Sequence, residues 1–138
     1  MPKVTGNDLV VQTLKNEGVD TVFYLTGGPM SDVAGLCLEM QFKSIDVRHE
    51  QAAAMMAHAY SRLTGKPGIC FAASGPGTTN LLTGIGNSFL DATPVVALGG
   101  SSPLTQNSRG AFQEMDQVSI FKPVTKWAER VTDTRRIP

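Results

Sequence analysis

Two side chains able to do proton chemistry, His49 and Glu50, stand side by side after Arg48. They mark the point where a short β-like run, Ile45 and Val47, gives way to a strong helix former beginning Glu50-Gln51-Ala52-Ala53-Ala54-Met55-Met56. A carboxylate in the first turn of a helix is favoured by the unpaired N–H groups and the dipole, so Glu50 reads in one way as a helix-start charge. A second reading comes from the residues after Glu50. As far as Tyr60 the helix is almost entirely Ala, Met, His and Tyr, apolar nearly all round, which predicts burial. A carboxylate at the mouth of a buried helix is desolvated, its pKa rises, and it becomes suited to hold or pass a proton. His49 is either an acid/base partner or a polar contact, and His58, eight residues after Glu50, reads as a core histidine with its ring nitrogens satisfied.

Several other chemistries are poorly supported. No GxxxxGK[ST] occurs, and Gly75-Pro76-Gly77 has Asn80 where a dinucleotide fingerprint needs its third glycine. Ser74 lacks the glycine two positions earlier that a nucleophile elbow uses. Cys37 and Cys70 form no CxxC, so two buried thiols in a reducing compartment are expected and a zinc site or disulfide framework is not. Twelve basic and twelve acidic residues cancel, which argues against a nucleic-acid surface or a basic membrane patch. The start, Met1 to Asp8, carries no apolar signal core, and no run reaches the ~18 apolar residues of a membrane span. A cytoplasmic protein is expected. With 138 residues, 41% of them hydrophobic, the chain fits one domain burying about two thirds of its unfolded surface.

The elements that must position these residues alternate in period. Thr5 or Asn7 can cap a first helix with apolar positions Leu9, Val10 and Leu14, ended by Gly18. Thr21–Leu25 reads as a buried strand, and Thr26-Gly27-Gly28-Pro29-Met30 as a tight turn into a helix from Ser31 to Met40. After these come a strand from Ser44 to Arg48 and a helix from Glu50 to Leu63, closed by Gly65. Gly68–Ala73 is the next strand, Ser74-Gly75-Pro76-Gly77 a turn, Thr78–Phe89 a helix, and Pro94–Leu98 a last strand. Apolar strands separated by helices predict an α/β fold, a parallel sheet with helices on both faces. In such a sheet ligands lie beyond the carboxyl ends of the strands. The turns at Gly27-Gly28-Pro29, Arg48-His49-Glu50 and Ser74–Gly77 leave those ends, so all three gather on one rim. Glycines there admit close backbone approach, and helix N-termini supply N–H donors.

The runs Arg48-His49-Glu50-Gln51-Ala52-Ala53, Ala59-Tyr60-Ser61-Arg62-Leu63-Thr64-Gly65-Lys66-Pro67-Gly68 and Ser74-Gly75-Pro76-Gly77-Thr78-Thr79-Asn80 resemble, in order and spacing, the pyrimidine-binding domain of thiamine diphosphate enzymes. The resemblance extends from about Gly6 to Lys126. It implies the PYR-type thiamine diphosphate-binding fold, with residues 1–138 as the N-terminal pyrimidine-binding domain. In that family the glutamate matching Glu50 hydrogen-bonds N1′ of the cofactor's aminopyrimidine and favours the imino tautomer, whose nitrogen removes the C2 proton of the thiazolium. The same resemblance makes Gly27, Gly28, Pro29 and Met30 a loop facing the substrate. It places Ser74, Pro76, Gly77 and Asn80 against the cofactor and the partner subunit, and Phe112 and Gln113 of Gly110–Gln117 beside the chemistry.

Two branches of the family share these features. The Glu50 region and Pro123-Val124-Thr125-Lys126 resemble acetolactate synthase, a carboligase of 2-oxoacids. Gly27-Gly28-Pro29, Gly99-Gly100-Ser101-Ser102 and Phe112-Gln113-Glu114-Met115-Asp116-Gln117 resemble 2-hydroxyacyl-CoA lyase and oxalyl-CoA decarboxylase. Phe112-Gln113, where the decarboxylases tend to carry Tyr-Glu, inclines the reading to the lyase: cleavage of a 2-hydroxyacyl-CoA to formyl-CoA and an aldehyde or ketone. Family members hold the diphosphate through Mg²⁺ in a second domain with a Gly-Asp-Gly stretch, which this sequence does not contain, so no metal ligand is expected in this chain. The resemblance also implies a further helix and strand after Pro138, and therefore a truncated piece of a longer chain, inactive alone. Its active sites would lie between subunits of a homodimer or homotetramer. A non-catalytic cofactor-binding module, or one subunit of a split decarboxylase, is the alternative.

Overall fold

The computed structural model describes residues 4–138. Four parallel strands form one sheet in the order β2-β1-β3-β4, where β1 is Thr21–Leu25, β2 Lys43–Asp46, β3 Gly68–Ala72 and β4 Val95–Gly99. The expected parallel α/β architecture is present, with six α-helices among the described residues: α1 Gly6–Asn16, α2 Ser31–Glu39, α3 Glu50–Thr64, α4 Pro76–Asn80, α5 Leu82–Leu90 and α6 Gln117–Phe121. The chain leaves β1 toward β2 on one side and returns through α3 to β3 on the other. The carboxyl ends of β1 and β3 therefore flank the point where the strand order reverses.

Helices cover both faces because the two inner strands are apolar on both. Val22, Tyr24, Ile69 and Phe71 point to a core with Val11 of α1 and Val33, Ala34 and Cys37 of α2. Phe23, Cys70 and Ala72 point the other way, to Ala53, Ala54 and Ala57 of α3, Ile85 of α5 and Phe121 of α6. Tyr24 and Phe71, register partners on adjacent strands, stack with centroids 4.6 Å apart. The alanines of α3 bring that helix close to its neighbours. A Cβ on Gly84 of α5 would stand 2.5 Å from the Ala54 methyl, so the α3–α5 crossing tolerates no side chain there. The outer strands differ: β2 and β4 are only partly buried, as edges of a short sheet are.

Several boundaries move for local reasons. The first helix is capped by Thr5, whose hydroxyl accepts from the Asp8 N–H while the Asp8 carboxylate accepts from the Thr5 N–H, a reciprocal capping box. The second helix ends at Glu39, one residue early, and Gln41 turns the chain at φ 62°. The strand expected at Ser44–Arg48 is Lys43–Asp46, although the Val47 N–H still donates to Tyr24 C=O. The helix expected at Thr78–Phe89 is two helices. Pro76 starts α4 early, as proline suits a first helical position, and a three-residue hydrogen bond from Leu81 N–H to Thr78 C=O tightens the chain before α5. The last strand begins at Val95 because Pro94 has no N–H for the ladder, while its carbonyl accepts from Gly68. No helix among the described residues is long and apolar enough to cross a membrane.

Candidate functional site

The loops after β1 and β3 and the start of α3 meet at the carboxyl edge of the sheet. His49 is the N-cap of α3: its extended backbone, φ −156°, stops the helix, and its Nδ1 accepts the Gln51 N–H at 3.2 Å. That bond occupies one ring nitrogen in holding the helix start. Glu50, the next residue, is 9% exposed. Its Oε2 accepts from Asn80 Nδ2 at 2.9 Å, and its Oε1 lies 3.3 Å from the place where a Cβ on Gly77 would be. Among the described residues no donor bonds Oε1. A buried carboxylate with one oxygen engaged and one open is an acceptor waiting for an external N–H or O–H.

The turn carrying Gly77 is pinned from several sides. Ser74 and Gly77 are buried while Pro76 and Asn80 reach the surface. Gly75 takes φ 58°, a backbone that side chains rarely adopt, and a Cβ on it would stand 2.3 Å from Gln113 C=O. Thr78 Oγ1 donates to Ala73 C=O at 2.7 Å. The loop after β1 is a 3₁₀ turn over Gly28–Met30. Gly28 and Pro29 are exposed, Gly27 is half-buried, and Met30 turns into the core with Tyr24, Val33 and Phe71. Across from it a Cβ on Gly100 would come within 2.7 Å of Pro29 Cγ and 3.2 Å of Met30 Cγ, so the β1 and β4 loops interlock.

The segment beyond β4 reaches the same edge unevenly. Gln113, at φ 60°, lays its backbone against Gly75, whereas Phe112 is 86% exposed and packs against nothing near Glu50. Two residues not singled out from sequence organise it. Glu114 accepts from the N–H groups of Ser108 and Ala111, and these donors, Ser108 first, hold its carboxyl below the usual range. Gln117 accepts the Gly75 N–H through Oε1 and donates through Nε2 to Gly100 C=O at 3.0 Å. Both lie in the run Phe112–Gln117, where the local physical signal is Asp116, which caps α6 by accepting from Ser119 N–H; it marks a helix start and says nothing of the bond from Gln117 to Gly75, 42 positions away from it.

The remaining candidates lie elsewhere. His58 is a satisfied core histidine: Nδ1 meets Asn87 Nδ2 at 3.1 Å and Nε2 meets the Asp91 carboxylate at 2.8 Å, with Arg62 on the same carboxylate. Cys37 and Cys70 are free and buried, and burial pushes their thiols up to about 11 and about 12. Two cavities, of about 340 and 390 Å³, open at the amino ends of the strands beside Asp20 and Lys66 and between α1 and α2. Neither touches Glu50. No group of three or more His, Cys, Asp or Glu among the described residues is placed to hold a metal ion.

The family described as thiamine pyrophosphate enzyme, N-terminal TPP binding domain, matches residues 4–120. The chain belongs to this family. Among its curated relatives, a catabolic acetolactate synthase of Raoultella terrigena is 42% identical over 127 residues, 92% of this chain and 23% of the relative. A chloroplastic acetolactate synthase of Arabidopsis thaliana is 39% identical over 96% of the chain and 20% of its own length. A 2-hydroxyacyl-CoA lyase 1 of Mus musculus is 38% identical over 99% of the chain and 23% of its own length. The chain thus spans about a fifth to a quarter of the curated relatives it matches. As a thiamine pyrophosphate-binding domain it offers chemistry of the right kind. The open Oε1 of Glu50 suits a ring nitrogen carrying hydrogen, and the bare α-carbon of Gly77 leaves space beside it.

Proposed function

We propose that these residues form the N-terminal pyrimidine-binding domain of a larger thiamine diphosphate enzyme in which Glu50 activates the cofactor. The observation that carries this is the buried Glu50 carboxylate, fixed by Asn80 through one oxygen and open at the other, on the edge where the strand order reverses. When bound, thiamine diphosphate supplies a carbon nucleophile and an electron sink. This chain's part is to hold and orient the pyrimidine end of the cofactor. Glu50 accepts a hydrogen bond from the pyrimidine ring and shares control of its proton; Asn80 holds the carboxylate in place. Ser74, Pro76 and Gly77 form the wall against which the cofactor lies. Gly27, Gly28 and Pro29, with Phe112 and Gln113, form the substrate-facing side, while Met30, expected there from the resemblance, instead anchors the loop in the core. The diphosphate and its Mg²⁺ belong to another domain, and the active site is completed between subunits of a homo-oligomer.

We read the reaction as carbon–carbon cleavage of a 2-hydroxyacyl-CoA. The C1–C2 bond breaks, C2 leaves as the carbonyl carbon of an aldehyde or ketone with loss of the hydroxyl proton, and C1 gains a proton as formyl-CoA. The support is the resemblance of Gly27-Gly28-Pro29 and Gly99-Gly100-Ser101-Ser102 to segments of 2-hydroxyacyl-CoA lyases, together with the 38% identity to a protein named 2-hydroxyacyl-CoA lyase 1; the two segments pack together, Pro29 filling the space that a side chain on Gly100 would need. A second reading, acetolactate formation from 2-oxoacids, is favoured by the 42% identity to a protein named acetolactate synthase. The test is formyl-CoA release from a 2-hydroxyacyl-CoA against acetolactate formation from pyruvate, using the complete protein with thiamine diphosphate and Mg²⁺. Formyl-CoA as the main product supports the lyase, acetolactate replaces it with the second reading, and neither product overturns both.

A further inference from the structure

We infer that Gln117 is a positioning residue that locks the substrate-facing rim, tying the β3 loop to the β4 loop through its two amide atoms. This deepens the reading above and rests on it for the identity of the reaction, though not for the geometry.

Three strand-end loops must keep a common register at the rim, and they come from distant parts of the chain. The β1 loop is held to the β4 loop by shape, with Pro29 and Met30 against Gly100. The β4 loop is held to β3 by the Gly100 N–H donating to Ala72 C=O at 3.0 Å. The β3 loop turns away sharply at Gly75, whose N–H has left the sheet ladder. Gln117 Oε1 accepts that N–H, and Nε2 of the same side chain donates to Gly100 C=O. One planar amide therefore spans both loops with an acceptor on one and a donor on the other. Its fit is close: a Cβ on Gly99 would stand 3.1 Å from Nε2. Gln113 lies against Gly75 from the other side, so a shift of Gly75 moves Gln113 as well.

At neutral pH no other side chain of this length combines both roles. Leucine has neither atom. Ionised glutamate keeps the acceptor for Gly75 but turns a second anionic oxygen toward Gly100 C=O, whereas protonated glutamate has both an acceptor and an O–H donor. This gives Gln117 a signature that simple packing lacks. Small misplacements of groups around reacting atoms cost about 100-fold in rate, so loss of both bonds is expected to act on turnover.

The experiment uses the complete protein with Gln117→Leu and Gln117→Glu, and reads amide hydrogen exchange, melting temperature and the pH profile of whichever of the two reactions above it performs. For Gln117→Leu, faster exchange is expected at residues 73–77 with α1 unchanged, and kcat/KM lower by about 10- to 100-fold. For Gln117→Glu, kcat/KM is expected to recover toward wild type as pH falls and the new carboxyl protonates, a limb absent from the wild-type profile. Exchange at 73–77 unchanged in Gln117→Leu overturns the inference, as does a Gln117→Glu profile parallel to wild type. If Gln117→Leu unfolds, the Gln117→Glu profile decides. If neither reaction is catalysed the proposed function fails, and the exchange measurement alone decides for Gln117.

Discussion

Glu50 is the side chain whose surroundings carry the functional reading, and those surroundings are sparse: one amide from Asn80, one bare glycine, and the helix start held by His49. Asn80 is itself exposed, so its exchange for alanine removes a hydrogen bond to a carboxylate without emptying the core. Hydrogen bonds to charged groups contribute about 1.5–3 kcal/mol. Asn80→Ala in the complete protein is therefore expected to slow C2-proton exchange of bound thiamine diphosphate by roughly tenfold or more, while the melting temperature stays within a few degrees. The two thiols make a contrasting case. Buried and pushed up to about 11 and about 12, Cys37 and Cys70 hold almost no thiolate at neutral pH. An aromatic disulfide reagent is expected to leave both unmodified in the native protein and to label both after denaturation; rapid native labelling would show that these positions open.

At the scale of elements, the alternation of apolar strands with helices was legible because each strand carries its own signal. Thr21–Leu25 and Gly68–Ala72 are apolar on both faces, as strands between two helical layers must be. The placement of Glu50 at a helix start was legible for the same local reason. The features that could not be read depend on pairs far apart in sequence. Asn80 bonds Glu50 across 30 positions and Gln117 bonds Gly75 across 42. Neither pair has a period or a spacing to betray it. The break between α4 and α5 was equally hidden, since Thr78–Phe89 has helical pattern throughout and the tightening at Leu81 answers to packing. Leu81 is fully buried in the core under α3. Leu81→Ala is expected to destabilise the fold by about 2–5 kcal/mol, read as a shift in the denaturation midpoint, because that core closes around a rigid alanine face and collapses little into the space.

For the whole molecule, the two ends of the sheet have different duties. The carboxyl end carries the site, and the amino end carries a knot of polar contacts. Asp20, just before β1, accepts from Lys66 at 2.8 Å, Tyr60 at 2.7 Å and Thr21 at 2.8 Å, tying the end of α3 and the entry to β3 onto β1. These donors, Lys66 first, hold the Asp20 carboxyl well below the usual carboxylate range. A carboxyl depressed by folding contributes stability above its unfolded pKa near 4, and that contribution fades as pH falls below it. Asp20→Asn is expected to lower the melting temperature at pH 7, with the gap to wild type narrowing steadily as pH falls below about 4 and vanishing only once pH passes the depressed folded-state value. The pair is exposed, so the gap is also expected to shrink in high salt.

Activation of thiamine diphosphate by Glu50 is tested most directly by deuterium exchange at C2 of the cofactor bound to the complete protein, wild type against Glu50→Gln. Glutamine keeps the shape and the Asn80 neighbour but carries no charge to hold the pyrimidine proton. Exchange slower by about 100-fold or more is expected in the variant, the scale of a lost acid–base group, with cofactor still bound. Exchange at the wild-type rate in Glu50→Gln, with cofactor bound, would contradict the role assigned to Glu50.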